Sequence, residues 1–215
     1  MNKYEEINQI VNIPVDSIFL EGILNIPKDA TGIVIFVHGS GSSRLSPRNY
    51  LVAKYLQENG FATLLFDLLT EEEDRLYENR FDIDLISERL KIVTEWVVKQ
   101  KNTSALKIGY FGASTGSAAA IKAAVDLENK ISAIVSRGGR PDLAATEIFN
   151  LNTPTLLIVG GSDRIVIELN SMVFDKIRTD KKMEIIPGAT HLFEELGTLE
   201  EVARLAVEWF KEYLV

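Results

Sequence analysis

The chain has 215 residues, 46% of them hydrophobic and 25% charged, and no linker-like or low-complexity tract divides it, so a single domain spanning 1–215 is expected. Its formal charge of -8 argues against a nucleic-acid partner and against an acidic membrane surface, both of which call for basic patches. Cysteine is absent, which excludes disulfides, thiolate metal sites and a sulfur nucleophile, and the two histidines, His38 and His191, are too few for most histidine-rich metal sites. The first residues, Met1-Asn-Lys-Tyr-Glu-Glu, lack a basic segment followed by an apolar one, and no apolar run approaches the roughly 18 residues of a membrane span. A cytoplasmic protein, monomeric or homodimeric, is the expectation.

Ile7 to Ile13 and Ser17 to Ile26 read as two strands joined at Pro14-Val15-Asp16, an antiparallel hairpin at one sheet edge within residues 1–27. Gly32-Ile-Val-Ile-Phe-Val-His38 is a continuous β-branched run, as in a strand covered on both faces. It ends in Gly39-Ser-Gly-Ser-Ser43, a loop without bulk. Ser46 and Pro47 supply an N-cap and a first helical residue, Leu51, Val52, Tyr55 and Leu56 the stripe, and Gly60 the stop. Phe61 to Asp67 is another buried strand. The charged, non-periodic stretch Leu68 to Arg80 reads as a solvated loop or a lip over a pocket. Ile86, Leu90, Val93 and Val97 define the next helix.

Leu106 to Phe111 is short and apolar, and Gly112-Ala-Ser-Thr-Gly116 follows it. This is the G-x-S-x-G pattern, in which serine occupies a strained strand-to-helix turn. Glycines flank such a turn because its neighbours have no room for side chains. Ala118, Ala119 and Ala120 then let the next helix lie close to the sheet. Beyond it, Ile131 to Ser136, Thr155 to Val159 and Met183 to Ile186 read as strands, Glu168 to Arg178 as a helix. Thr198 and Glu201 fit a capping box, and Leu199, Val202, Ala206 and Phe210 stripe the closing helix. Alternating strands and helices imply an α/β fold, a mostly parallel sheet of about eight strands with helices on both faces. Ligands bind such sheets at the carboxyl ends of the strands, where every candidate residue here lies.

A serine hydroxyl needs a positioned base, and only His38 and His191 could serve. The base needs a carboxylate, and Asp163 follows Gly160-Gly161-Ser162 after a strand. Ser114, Asp163 and His191 occur in the order nucleophile, acid, base found in α/β-hydrolases. From about Leu20 to the C-terminus the chain resembles a small member of that superfamily, closest to the dienelactone hydrolase-like group. The motifs that carry the likeness are His38-Gly-Ser-Gly-Ser-Ser43, Asp67, Gly112-Ala-Ser-Thr-Gly116, Gly161-Ser-Asp163 and Gly188-Ala-Thr-His-Leu-Phe193.

The resemblance implies a triad of Ser114, His191 and Asp163, with no cofactor and no metal. It also implies an oxyanion hole from the N–H groups of Thr115 and Ser40, or Gly41 if the loop is shifted by one. His38 is expected to bond backbone near that loop, and Asp67 to accept N–H groups of its own. Two departures stand out. Dienelactone hydrolases proper carry a cysteine nucleophile, absent here, and no long cap insertion follows Ile131–Ser136. Arg44, Arg137 and Arg140 all follow strands and could hold an anionic substrate group, or Arg137 and Arg140 could pair with Glu71-Glu-Glu-Asp74. The expected activity is hydrolysis of a small ester, lactone or thioester; a peptidase, or a ligand-binding protein without turnover, would share these features.

Overall fold

Every second side chain along Ile7–Val15 (β1) and Ile18–Ile26 (β2) turns inward, burying Val11, Ile13, Val15, Leu20, Leu24 and Ile26 on one face of a hairpin. In this computed structural model, residues 6–215 are described; the first five, and with them the expectation for the N-terminal segment, lie outside the described residues. The hairpin turns at Asp16-Ser17, two residues later than the sequence suggests, with Asp16 at φ 50°. Pro14 remains in β1 opposite Phe19. A proline is tolerated there because β1 is the edge of the sheet, where a missing N–H interrupts no inner ladder.

Gly32–Val37 (β3), Phe61–Phe66 (β4), Lys107–Ala113 (β5), Ile131–Arg137 (β6), Thr155–Gly160 (β7) and Lys181–Ile186 (β8) complete an eight-stranded sheet in the order β1-β2-β4-β3-β5-β6-β7-β8. The β1–β2 and β2–β4 pairs are antiparallel and the rest parallel. Pro47–Glu58 (α1) and Thr198–Leu214 (α6) share one apolar cluster, with Val52, Leu56, Val202, Ala206 and Phe210 against the sheet. The other face carries Ile83–Lys99 (α3) and Thr115–Asp126 (α4), whose Leu90, Val93, Ala119 and Ala123 pack against Ile33, Ile35 and Tyr110. The fold is thus the expected layered α/β arrangement. Between β6 and β7 only two short 3-10 turns occur, Pro141–Ala144 and Glu147–Asn150, so no cap covers the carboxyl edge.

Three local readings shift. The stretch after β4 is a capped helical turn, Glu71–Asp74 (α2), followed by a 3-10 turn at Tyr77–Phe81. Thr70 and Glu73 cap each other reciprocally, Arg80 binds Asp74 and Arg89 binds Glu73. Polar contacts, not apolar periodicity, order it. The helix after β7 (α5, Arg164–Phe174) begins four residues before Glu168, because the Asp163 side chain caps it. In α6, Gly197 at φ 81° is the N-cap and the Thr198 hydroxyl donates to the Glu195 carbonyl, so the Thr198–Glu201 capping box does not form.

Candidate active site

Ser114 sits between β5 and α4 with φ 51° and ψ -122°, a conformation that costs a non-glycine residue strain energy. The flanking glycines follow from contact distances. A Cβ on Gly112 would lie 2.6 Å from Ser117 Cα, and one on Gly116 would lie 2.1 Å from the Val37 carbonyl oxygen. The start of α4 therefore presses on the end of β3, and only glycine fits. The strain is held by hydrogen bonds. Ser114 N–H donates to the Arg137 carbonyl at 3.2 Å, and the Ser114 carbonyl accepts from the backbone N–H groups of Ser117 (3.1 Å) and Arg140 (3.0 Å) and from the Ser117 hydroxyl (2.8 Å).

Asp163 uses its two oxygens differently. Oδ1 accepts the Val166 N–H at 3.4 Å and caps α5, while Oδ2 lies 2.7 Å from His191 Nδ1. The loop carrying His191 is pinned from both sides: Ser162 N–H donates to Ala189 O at 2.9 Å and Thr190 N–H to the Glu195 carboxylate at 3.0 Å. With Nδ1 turned to a carboxylate, Nε2 is the nitrogen left for proton transfer. His191 and Ser114 line one cavity of about 270 Å³, together with Ser40, Arg48, Asn49 and Arg137. Among the described residues no hydrogen bond joins the Ser114 hydroxyl to the imidazole; such contacts commonly tighten only around bound substrate.

The loop after β3 packs directly on the serine, since a Cβ on Gly39 would lie 3.0 Å from Ser114 Cβ. Ser40 N–H points across to Thr115, donating to its hydroxyl oxygen at 3.0 Å. The two predicted donor residues therefore adjoin at the serine, but the Ser40 N–H already has a partner that a substrate oxygen must share or displace. The Thr115 N–H opens α4, where a backbone donor has no carbonyl one turn earlier to bond. Gly41, with φ 69°, extends the same loop. His38 is buried and lies off this cavity. Its Nδ1 donates to the Gly39 carbonyl at 3.0 Å and its Nε2 accepts the Leu68 N–H at 3.2 Å. Burial lowers its pKa against the opposing pull of the Gly39 carbonyl, Asp67 and Asp74, so the ring is neutral. Both nitrogens are engaged with backbone, which leaves His191 Nε2 as the uncommitted ring nitrogen.

The three predicted arginines separate. Arg44 is held by Asp67 and Glu21, with its backbone N–H on Asp67 Oδ1 at 2.8 Å, in a neighbouring cavity beyond His38. Arg140 forms two 2.8 Å bonds with Asp142. Neither Arg137 nor Arg140 reaches the acidic stretch 71–74, which Arg80 and Arg89 engage instead. Arg137 alone of the three enters the Ser114 cavity. Arg48 and Asn49, in the first turn of α1, also line it and escaped sequence reasoning. Their distance from the helix cap was readable, but the direction in which that turn points was not.

A serine elbow of this geometry at the end of a central parallel strand, with its companions on later strand-end loops, places the chain among the α/β-hydrolases. The chain belongs to the dienelactone hydrolase family, whose sequence signature spans residues 20–214. A crystal structure of dienelactone hydrolase from Anabaena variabilis superimposes with a TM-score of 0.95 at 50% identity, covering 99% of this chain and all of that one. Est1E from Butyrivibrio proteoclasticus, at 18% identity and a TM-score of 0.81 over 94% of this chain and 98% of its own, shares the fold. Two curated relatives from Mycobacterium tuberculosis, provisionally named phosphoribosyl transferases, are 53% identical over 206 residues. That match covers 96% of this chain but only 46% of theirs, so the chain spans less than half the length of those relatives.

Proposed function

We propose that the protein is a metal-independent serine hydrolase of small carboxylic esters, lactones or thioesters. The observation that carries the reading is the 2.7 Å contact between Asp163 and His191 Nδ1, which commits the other ring nitrogen to the cavity containing Ser114. In this mechanism Ser114 Oγ attacks the substrate carbonyl and His191 Nε2 takes its proton. Asp163 holds the ring and balances the imidazolium. The tetrahedral oxyanion is stabilised by the N–H groups of Thr115 and Ser40, the latter turning from the Thr115 hydroxyl; removal of one such donor costs about 10²–10³ in rate. His191 returns the proton to the leaving group as the carbonyl re-forms. Water then attacks the acyl-enzyme by the same route and regenerates Ser114.

Scale and openness favour a small substrate. The cavity, at about 270 Å³, is just below the range of roughly 300–1,000 Å³ that holds drug-sized ligands, and no cap encloses it. A phosphoribosyl transfer reading draws on the names of relatives more than twice as long as the matched region; a carboxylate-oriented histidine beside an elbow serine suits acyl transfer instead. The test is covalent labelling with a fluorophosphonate probe and turnover of p-nitrophenyl acetate and butyrate. Labelling at Ser114 that disappears in Ser114→Ala, with turnover lost in His191→Ala, is the expected result. An unlabelled protein beside a working control would overturn the proposal, and equal background hydrolysis in wild type and His191→Ala would point to a binding protein.

A further inference from the structure

Arg137 ends β6 with its guanidinium buried, only 4% of the residue exposed, on the wall of the Ser114 cavity. A buried charge is ordinarily tolerated only when an opposite charge or a full set of hydrogen bonds compensates it. Arg44, Arg80, Arg89, Arg140 and Arg204 each engage a carboxylate. Among the described residues Arg137 engages none. Its Nη2 donates to the Asn49 side-chain oxygen at 3.3 Å, its carbon lies 5.8 Å from the Phe193 ring centre, and Nε has no partner among the described residues. Two weak neutral contacts leave most of its five donors unspent. Burial, aggravated by the nearby positive charge of Arg48, pushes its pKa down to about 10, so the guanidinium is still charged at neutral pH. Arg48, also on the cavity wall, is partly exposed and among the described residues reaches only Glu194, at 3.2 Å on the surface.

Two guanidinium groups facing one cavity repel each other unless an anion lies between them. The chain has 31 acidic residues, yet a neutral asparagine stands beside Arg137. We infer that Arg137, assisted by Arg48 at the rim, forms a subsite for an oxyanion group, carboxylate or phosphate, carried by the substrate of the Ser114 centre. Arg137 and Ser114 line the same cavity of about 270 Å³, so the groups they would hold share one small space. The anionic group therefore belongs a few atoms from the scissile carbonyl, as in a hemiester of a short dicarboxylic acid or a small phosphorylated ester. The planar fork of Arg137 would bind two of its oxygens, and Arg48 would exchange Glu194 for a third contact.

The inference rests on the hydrolase reading but can fail separately from it. In Ser114→Ala protein, calorimetric titration with inorganic phosphate and with succinate should show binding that succinamide lacks. Whichever of the two anions binds tighter identifies the group. Loss of one charged contact should weaken that binding roughly 10- to 100-fold in Arg137→Gln, and less in Arg48→Gln. In parallel, the ratio of kcat/KM for p-nitrophenyl hemisuccinate to that for p-nitrophenyl butyrate should exceed one in the wild type, and so should the ratio for a phosphate-bearing ester of similar length if phosphate is the group. The selective ratio should fall by the same factor in Arg137→Gln, recover partly in Arg137→Lys, and stay unchanged in Arg44→Met. Arg48→Gln, near the surface, keeps the test decisive if the buried position does not tolerate glutamine. Binding of neither anion, or a preference indifferent to both Arg137→Gln and Arg48→Gln, would overturn the inference. Anion binding without fluorophosphonate labelling would leave the subsite standing and remove the hydrolase reading.

Discussion

Replacing Asp163 by asparagine separates the two tasks of its carboxylate. Oδ1 caps α5 through the Val166 N–H, and asparagine is as good an N-cap as aspartate, so the fold should persist with its stability changed by no more than about 0.5 kcal/mol. In the proposed mechanism Oδ2, 2.7 Å from His191 Nδ1, faces the positive charge that appears on the ring when it takes the serine proton. With charge centres about 4 Å apart, that attraction is worth roughly 4 kcal/mol at an effective dielectric of about 20. The Asp163 side chain is 16% exposed, but that of His191 is 39% exposed, and water access reduces the figure to about 2–4 kcal/mol. The corresponding loss in kcat is about 30- to 1,000-fold. An amide can also turn its N–H toward Nδ1 and favour the tautomer whose Nε2 cannot accept a proton, which pushes the loss toward about 10⁴-fold. Steady-state kinetics on p-nitrophenyl acetate beside a thermal melt measures both quantities. An unchanged melt with kcat within about tenfold of wild type would refute the catalytic reading of this contact.

The elbow and the buried histidine give two further tests. Gly116→Ala places a methyl group 2.1 Å from the Val37 carbonyl oxygen, a backbone atom that cannot swing aside, so β3 or α4 must move. A cost of about 1–3 kcal/mol should lower Tm by roughly 3–10 °C, with labelling of Ser114 reduced, whereas an unaltered melt would contradict the packing of the elbow. His38 is neutral in the fold because burial lowers its pKa from an unfolded value near 6.5. Its contribution is therefore complete above about pH 6.5 and is lost as pH falls toward the folded value, with a slope of at most about 1.4 kcal/mol per pH unit. Urea unfolding of wild type and His38→Gln between pH 7.5 and 5 should show a flatter acid limb in the variant; parallel limbs would refute the assignment.

The central strands were legible because buried parallel strands are continuous apolar runs, and Ser114 was legible because its turn admits few residues besides glycine at positions 112 and 116. The start of α5 was not. Apolar periodicity places it at Glu168, whereas the capping carboxylate of Asp163, five residues earlier, sets it at Arg164. The same residue stands out in the sequence for its place before His191, and nothing in a one-dimensional pattern says that one side chain serves two partners. The arginines show the opposite limit. Arg44 and Arg140 lie beyond strands and Arg137 ends one, but ion pairing is decided by loop paths, which bring Asp67 and Glu21 to the first and Asp142 to Arg140. Arg137 differs by what fails to reach it.

The hydrogen bonds around Ser114 tie a strained residue to β6, to the loop beyond it and to the first turn of α4. The proposed nucleophile is thereby tied to buried core elements, which open less readily than exposed loops. Its geometry is then not traded against the mobility of surrounding loops. Under the proposed hydrolase reading, those loops can drift through sequence change and acquire new substrates while the same core keeps the Ser114 oxygen in position. Damage to that core would in turn appear first as lost labelling, before any change in substrate choice.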